Sequence, residues 1–254
     1  MKRMRILGLC LVAAFAMSAM AVASASAAPP EIGRCIKVAK GQGRYKDAGC
    51  EKGEVKGGIY EWIPGVVKNK FTSTEGKSTF ETVGKQKVVC KSDTDSGEYF
   101  PPKEDLETIV FAGCEVIGVI NGKKVKLPCQ NAGGPPGVIQ TTTLRSLLGF
   151  IKAPNEVGVS LESVTGAPFA EFECGGIRIA ITGSVIAPVT PISKMTLKFK
   201  EKFKAIKGIQ TPENFEGQPK DTLTCTALEK SEPCGFTSVD TVTNEELLEI
   251  NEVL

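Results

Sequence analysis

Paired carboxylates are the residues of this 254-residue chain best placed to do chemistry, because the sequence contains no histidine. Without an imidazole, the chain can form neither a Ser-His-Asp nor a Cys-His nucleophile system, and it cannot hold a histidine-bound metal. Glu171 and Glu173 would share one face of a strand about 6.6 Å apart, a separation that glycoside hydrolysis could use. Ala170, Phe172 and Cys174 would then face the core and leave both glutamates in water. We therefore predict a solvated strand face and assign no catalytic residue.

A second acidic run, DTDSGE, begins at Asp93, with Glu104 further along. These two residues and Asp95 match the first, third and twelfth positions of a calcium-binding loop. However, the glycine that such a loop requires comes one place early, and Pro101 and Pro102 interrupt the loop. Asp, Ser and Gly together are typical of a turn between strands. The run therefore predicts a turn, and neither a metal site nor a cofactor.

A lysine stripe is the first candidate binding surface. Its members alternate along one predicted strand: Lys198, Lys200, Lys202 and Lys204. Alternation would place Leu197, Phe199, Phe203 and Ala205 on the opposite face. The stripe could attract an anionic cell-wall polymer, a polysaccharide or a phospholipid surface. It could also be a solvated face or the protection of an edge strand, whereas a helical arrangement would scatter the lysines.

Tyr60 and Trp62 are the second candidate binding surface. Aromatic residues are scarce here and Trp62 is the only tryptophan. Exposed aromatic side chains beside polar groups often contact sugars or partner proteins. The alternative is that Trp62 anchors a small core.

The cysteines predict four disulfides. Nine are present, and the eight that follow Cys10 form an even number with no C-x-x-C spacing, which disfavours a zinc knuckle or a redox motif. Eight cysteines allow about 105 pairings. Cys35–Cys50 and Cys225–Cys234 each flank a loop that contains Gly or Pro, and we predict both pairs. For the middle four we predict Cys114–Cys129 and Cys90–Cys174.

Residues 1–27 have the layout of a secretory signal peptide, with three basic residues, an uncharged run over 6–22 and the small residues Ala25-Ser26-Ala27. We predict cleavage before Ala28, the alternative being an uncleaved membrane anchor. The chain that remains would hold 28 basic and 29 acidic residues, a balance that argues against nucleic-acid binding. No later stretch is long and apolar enough for a transmembrane helix. We expect a secreted or cell-envelope-associated protein.

Period-two alternation predicts an all-β protein, an antiparallel sandwich or barrel stapled by disulfides. Residues 28–67 are expected to form a turn-rich, disulfide-pinned segment, and residues 68–254 a β-rich domain. Residues 144–151 could form a helical turn or a strand, and residues 244–254 could form a short amphipathic helix.

Two hairpins have recognisable turn residues. Gly84-Lys85 between two alternating runs favours a type II′ turn, which wants glycine first. Asn121-Gly122 supplies both positive-φ residues of a type I′ turn. Further strands are expected over 156–164, 169–174 and 177–186, with a loop over 130–137.

Several longer stretches are specific enough to compare with known sequences: PEIGRC, GRYKDAGC, YEWIPG, FAEFECGG, GSVIAPVTPISKM and FEGQPKD. Together they resemble a group of secreted bacterial proteins of unknown function, over nearly the whole chain after the leader. The resemblance implies export, paired cysteines and a β-rich body. It implies no ligand and no catalytic residue.

These features predict a secreted, disulfide-stabilised β protein that acts as a binding or envelope-associated structural component. The alternative is a secreted, carboxylate-dependent polysaccharide hydrolase, which would need two acidic side chains facing each other across a cleft.

Overall fold

Every regular element in the described part of the chain is a β-strand, which confirms the predicted all-β class. The structure is a computed structural model and describes residues 30–51, 57–164 and 166–251, so the predicted signal peptide lies outside the described residues. The strands in chain order are β1 (Glu31–Lys37), β2 (Tyr60–Pro64), β3 (Lys70–Glu75), β4 (Ser78–Thr82), β5 (Lys87–Cys90), β6 (Ser92–Phe100), β7 (Glu104–Ala112), β8 (Glu115–Ile120), β9 (Lys123–Gln130), β10 (Val138–Gln140), β11 (Leu144–Lys152), β12 (Glu156–Ser163), β13 (Ala170–Cys174), β14 (Ile177–Thr182), β15 (Ser184–Thr190), β16 (Thr196–Phe203), β17 (Ala205–Ile206), β18 (Ile209–Gln210), β19 (Thr224–Ala227) and β20 (Lys230–Asn251).

Eight strands form a closed antiparallel ring, which we call the first barrel. In order around the ring they are β3, β6, β7, β11, β12, β15, β16 and β20. Pairing of β20 with β3 closes the ring. Since β16 is paired on both sides, its lysine stripe does not protect a sheet edge, and that explanation of the stripe is wrong.

A second closed ring, the second barrel, shares β20 with the first. Its order is β4, β5, β8, β9, β13, β14, β19 and β20. Residues Cys234 to Thr237 of β20 pair with β4 and close the ring. The predicted sandwich-or-barrel is therefore a pair of barrels joined through one strand.

The chain crosses repeatedly between the two barrels and completes neither before the other. The chain passes from β3 to β4, from β5 to β6, from β7 to β8 and from β14 to β15 across one or two residues, and the 22-residue β20 spans both rings. This connectivity places four hairpin turns at the outer end of the second barrel: residues 83–86, 121–122, 175–176 and 228–229.

A plug of four phenylalanines lies where the barrels meet. Phe80, Phe111, Phe203 and Phe236 pack ring against ring, with centroids 4.8–5.7 Å apart in the contacting pairs. All four side chains are at most 3% exposed. The plug separates the interior of the first barrel from that of the second.

The N-terminal segment is attached to the outer end of the first barrel. β1 pairs with β2 and, through Glu31 to Gly33, with the end of β20. The Cys35–Cys50 disulfide pins the loop that follows β1. The division at residue 67 into two units stays a prediction.

The two predicted hairpins form, but their turns differ in outcome. Asn121 and Gly122 have φ values of 50° and 75°, which confirms the type I′ turn. Between β4 and β5 the positive φ, 68°, falls on Lys85, whose N–H donates to the Thr82 carbonyl at 2.9 Å. The type II′ prediction, which needed positive φ at Gly84, is therefore wrong.

Two local predictions are corrected by long-range pairing. The acidic run at Asp93 is not a turn but the strand β6, which pairs with β3 on one side and β7 on the other. The possible helix over 244–254 is a strand through Asn251, because β20 pairs with β16, β3 and β1 there. Residues 252–254 lie outside the described residues. Of the two readings of 144–151, the strand is correct.

The four disulfides form, but the middle pairs differ from the prediction. Cys35–Cys50 and Cys225–Cys234 are confirmed. The predicted Cys114–Cys129 and Cys90–Cys174 are wrong, and the structure contains Cys90–Cys114 and Cys129–Cys174 instead. Cys114 and Cys129 are neighbours in the β8–β9 hairpin, where the Cys129 N–H donates to the Cys114 carbonyl at 3.0 Å. Instead of bonding each other, Cys114 bonds Cys90 of β5 and Cys129 bonds Cys174 of β13. The two disulfides therefore link the hairpin to the strands on either side of it.

Candidate functional site

The second barrel encloses an apolar cavity of about 830 Å³. Every strand of that ring contributes to its wall, because alternation along each strand directs every second side chain inward. The apolar wall consists of Phe80, Val88, Val116, Ile117, Leu127, Phe172, Ile177, Ile179, Ile181, Ala227 and Leu228, together with Cys174 and Cys225. Phe80, Phe172 and Ile181 lie at the closed end and are at most 3% exposed, whereas Ile177 and Leu228 are exposed at the mouth. The cavity therefore runs from the phenylalanine plug to solvent.

Polar side chains occupy only the outer part of this cavity. They are Thr82, Gln86, Lys87, Lys230, Ser231 and Glu232. Lys87 Nζ pairs with Glu81 at 3.1 Å, and Glu232 Oε2 accepts the Gly84 N–H at 2.9 Å. An apolar interior below a polar rim suits a molecule with one apolar end and one polar end.

The ring around this cavity has two short ladders, which we call seams. β5 and β8 pair at two positions, Val88↔Val116 and Val89↔Glu115, and β9 and β13 also pair at two. Cys90–Cys114 crosses the first seam and Cys129–Cys174 the second, with Cα atoms 3.9 and 4.2 Å apart. The disulfides hold the ring closed where backbone hydrogen bonds are fewest.

The interior of the first barrel is acidic. Seven carboxyl groups from five strands lie there: Glu75, Asp93, Asp95, Asp105, Glu107, Glu201 and Asp240. Two pairs are directly opposite in the antiparallel ladder, Glu75 with Asp93 and Glu201 with Asp240. Like charges at such positions repel, so these groups favour sharing protons over full ionisation.

Burial is the main reason why these carboxyl groups hold their protons. It raises the pKa of Asp93 to about 6, of Asp95 and Asp105 to about 7, and of Asp240 to about 8. Neighbouring carboxylates raise the pKa of Asp95 and Asp240 further, while the Ser238 hydroxyl, which donates to Asp240 Oδ1 at 2.6 Å, lowers that of Asp240. Burial also raises the pKa of Glu107 and Glu201 well above the usual range.

The space beside these acids is too small for a sugar. Asp105, Glu107 and Glu201 border a void of about 30 Å³, room for about one or two water molecules. A groove of about 540 Å³ is bordered by Glu98, Glu107 and Glu245. Glu107 alternates onto the opposite face of the sheet from Glu98, and Glu98 pairs with Lys70 at 3.8 Å. Among the residues that the structure describes, no group of three or more acidic or cysteine side chains is arranged to hold a metal ion.

The carboxylates singled out in the sequence lie on the outer face of β13. Glu171 pairs with Arg178 at 2.6 Å, and Glu173 Oε1 accepts from the Gln130 amide at 3.0 Å. Ala170, Phe172 and Cys174 are buried, as the alternation predicts. Glu171 and Glu173 therefore do not face the cavity.

The two predicted binding surfaces have different exposures. Lys198, Lys200, Lys202 and Lys204 are all exposed on the outside of the first barrel, and the structure does not bring them near the cavity. Leu197, predicted to face inward, is 47% exposed because a bulge between Thr196 and Lys198 shifts the register. Trp62 is 8% exposed and its ring covers Gly33, while Tyr60 is half-buried, so this pair anchors the N-terminal segment.

Neither the cavity nor the acidic interior was assigned from the sequence. The signal for the acids was present, since Asp93, Asp95 and Tyr99 alternate on one face of β6. The six cysteines of the second barrel likewise belong to one buried cluster that includes Phe172, with Val116 packed against it. Nothing in the spacing showed that the ring would enclose open space.

Comparisons with protein families, with curated proteins and with solved structures gave no match for this chain. Over the described ranges, the structure has no helix of the length and hydropathy needed to cross a membrane.

Proposed function

We propose that this protein binds a small molecule with a substantial apolar part inside the second barrel. The observation that carries the proposal is the apolar cavity of about 830 Å³ inside a closed eight-stranded ring. Pockets that hold small ligands typically measure about 300–1,000 Å³ and are lined by apolar side chains with a few polar groups. Eight-stranded barrels are wide enough to hold one small ligand.

The chemistry of the wall limits the affinity. Each methylene group transferred from water to this interior contributes about 0.8 kcal/mol. A chain of ten methylenes would gain about 8 kcal/mol, which corresponds to a dissociation constant of about 1 µM before the costs of association are subtracted. We therefore expect affinities in the micromolar range or weaker.

We further propose that the protein is exported and works outside the cytoplasm, in the medium or at the envelope. Four disulfides support this location, because such bonds form and persist in oxidising compartments. The leader-like residues 1–27 support it as well. Association of the lysine stripe with an anionic wall polymer is part of the same proposal, and its support is the exposure of all four lysines.

The carboxylate-dependent hydrolase gains no support from the geometry of the described residues. Glu171 and Glu173 are paired on an outer face, and the void that Asp105, Glu107 and Glu201 border is only about 30 Å³, too small for a sugar.

A cavity-filling variant tests the binding proposal. Val116 lines the cavity, so Val116→Phe should place its ring in the open space and displace at least two methylenes of ligand. At about 0.8 kcal/mol per methylene, the substitution should weaken the binding of an environment-sensitive fatty-acid probe about tenfold. Val119→Phe is the matched control, since Val119 lies three residues along on the outer face and is 68% exposed. Protein purified from culture medium is used, and its mass also reports whether residues 1–27 are removed.

Two results would contradict the proposal. One is that the wild-type protein leaves the probe's fluorescence unchanged at micromolar concentrations. The other is that a folded Val116→Phe protein binds the probe as tightly as the wild type and the Val119→Phe control.

A further inference from the structure

Large apolar side chains are exposed around the mouth of the cavity. The four hairpin turns of the second barrel meet there, and five residues in these turns or within four residues of one are 39–73% exposed: Val83, Ile117, Val119, Ile177 and Leu228. Ile117, Ile177 and Leu228 also line the cavity, so the exposed apolar surface continues into the apolar interior. Scattered exposed apolar residues are ordinary, but a set gathered around one opening marks an interaction surface.

The same end of the barrel is basic. Residues 83–87, 121–126, 175–178 and 228–232 contain seven cations, Lys85, Lys87, Lys123, Lys124, Lys126, Arg178 and Lys230, and two anions, Glu229 and Glu232. Lys87, Lys126 and Arg178 are neutralised by carboxylates further along the strands. Lys85, Lys123, Lys124 and Lys230 are exposed, and none of them forms a salt bridge with another described residue.

We propose that this mouth, formed by the four hairpin turns, docks onto an anionic phospholipid surface. Apolar side chains at the tips would enter the interfacial region of the bilayer while the lysines contact the acidic headgroups. The cavity would then open directly toward the acyl region, and its ligand would be exchanged there. The exchange step rests on the binding function proposed above, whereas the docking itself does not.

Other partners fit this surface less well. A hydrated anionic wall polymer would satisfy the lysines but would leave five apolar side chains in water. A second copy of the chain would cover the apolar tips but would bring two basic surfaces together, which is unfavourable. A bilayer with acidic headgroups supplies both an apolar phase and negative charge.

Sedimentation with vesicles tests the docking. Wild-type protein is mixed with vesicles of phosphatidylcholine alone or of phosphatidylcholine with phosphatidylglycerol. We expect cosedimentation with the anionic vesicles only, weakened by salt as surface charges are screened. Leu228→Ser should reduce partitioning about tenfold, and Lys123→Gln/Lys124→Gln about fivefold per lysine removed.

Matched variants separate docking from general attraction and from ligand binding. Lys198→Gln/Lys200→Gln removes the same charge from the first barrel and should leave vesicle binding unchanged. Val116→Phe should also bind vesicles normally, because it alters the cavity and not the tips. The Lys123/Lys124 variant should keep the affinity for the soluble probe within about twofold, because neither lysine lines the cavity.

The proposal is overturned if wild-type protein stays in the supernatant with anionic vesicles, or if the Lys198/Lys200 variant loses as much binding as the Lys123/Lys124 variant. Retention on isolated wall polymer that Leu228→Ser does not alter, with no vesicle binding, would assign the surface to that polymer instead. Each of these results leaves the probe titration of Val116→Phe to decide the binding function separately.

Discussion

Replacing Asp240 with asparagine should stabilise this protein, and by an amount that grows with pH. Asp240 lies on β20, is 5% exposed, and stands opposite Glu201 in the ladder. Glu75 on β3 and Asp93 and Asp95 on β6 are also close enough to act on its charge, and Ser238 donates to it at 2.6 Å. Burial, with these carboxylates, raises the pKa of Asp240 to about 8. Asparagine resembles the protonated acid in shape but cannot ionise.

The direction follows from proton linkage. Because the pKa of Asp240 is higher in the folded protein than the ordinary value of 3.8, the folded state binds the proton more tightly than the unfolded state. The stability that this proton supplies is complete below about pH 4 and is lost as the pH rises toward about 8. Each unit of difference corresponds to about 1.4 kcal/mol, so the contribution of Asp240 to stability falls by about 3 kcal/mol by pH 6 and by about 5 kcal/mol by pH 8.

The assay is urea unfolding of oxidised wild-type and Asp240→Asn protein at several pH values between 4 and 8. The advantage of the variant should rise by about 1.4 kcal/mol per pH unit over this range. Asp221→Asn is the control for removing one carboxyl group, since Asp221 is exposed on the loop before β19. A difference between Asp240→Asn and wild type that stays constant from pH 4 to 8 would refute the assigned burial of this carboxyl.

Two further predictions concern the crosslinks and the lysine stripe. Cys129→Ser/Cys174→Ser opens a 45-residue loop, so urea unfolding should show that the free energy of unfolding falls by about 4 kcal/mol. The same variant should bind the probe more weakly, because the β9–β13 seam loosens. Cys35→Ser/Cys50→Ser opens a 15-residue loop, so the free energy of unfolding should fall by about 3 kcal/mol while the affinity for the probe stays the same. An equal loss of probe affinity in both variants would contradict the role of the β9–β13 seam. Replacing Lys198, Lys200, Lys202 and Lys204 with glutamine should release the protein from isolated cell wall at lower salt, and unchanged retention would remove the stripe as a binding surface.

Local signals predicted much of the strand pattern. Asn121-Gly122 fixed its hairpin because both residues readily adopt positive φ, a property that depends on two positions only. The alternation in residues 170–174 correctly predicted which side of β13 faces the core. At Gly84-Lys85 the same logic predicted the hairpin but not the turn, since several turn geometries fit a loop of that length.

Features set by contacts between distant strands could not be predicted. Asp, Ser and Gly have low strand propensity, so the run at Asp93 favoured a turn until pairing with β3 and β7 at every position was visible. Cys114 and Cys129 do lie side by side in their hairpin, yet each bonds a strand that the hairpin pattern does not identify. Val116, Phe172 and Ile179 look like residues of any packed core, and only the ring geometry shows that their side chains leave open space between them.

The position of the crosslinks follows from where packing is weakest. Most ladders of the first barrel are long, with nine paired positions between β6 and β7 and seven between β16 and β20, although β15 and β16 pair at only two. The second barrel contains the cavity, so its inward side chains lose the contacts that a filled core would provide. Three of the four disulfides join strands of that ring, two of them across its shortest ladders. Crosslinks constrain the unfolded chain and need no filled interior, so they can stabilise a ring whose interior stays open.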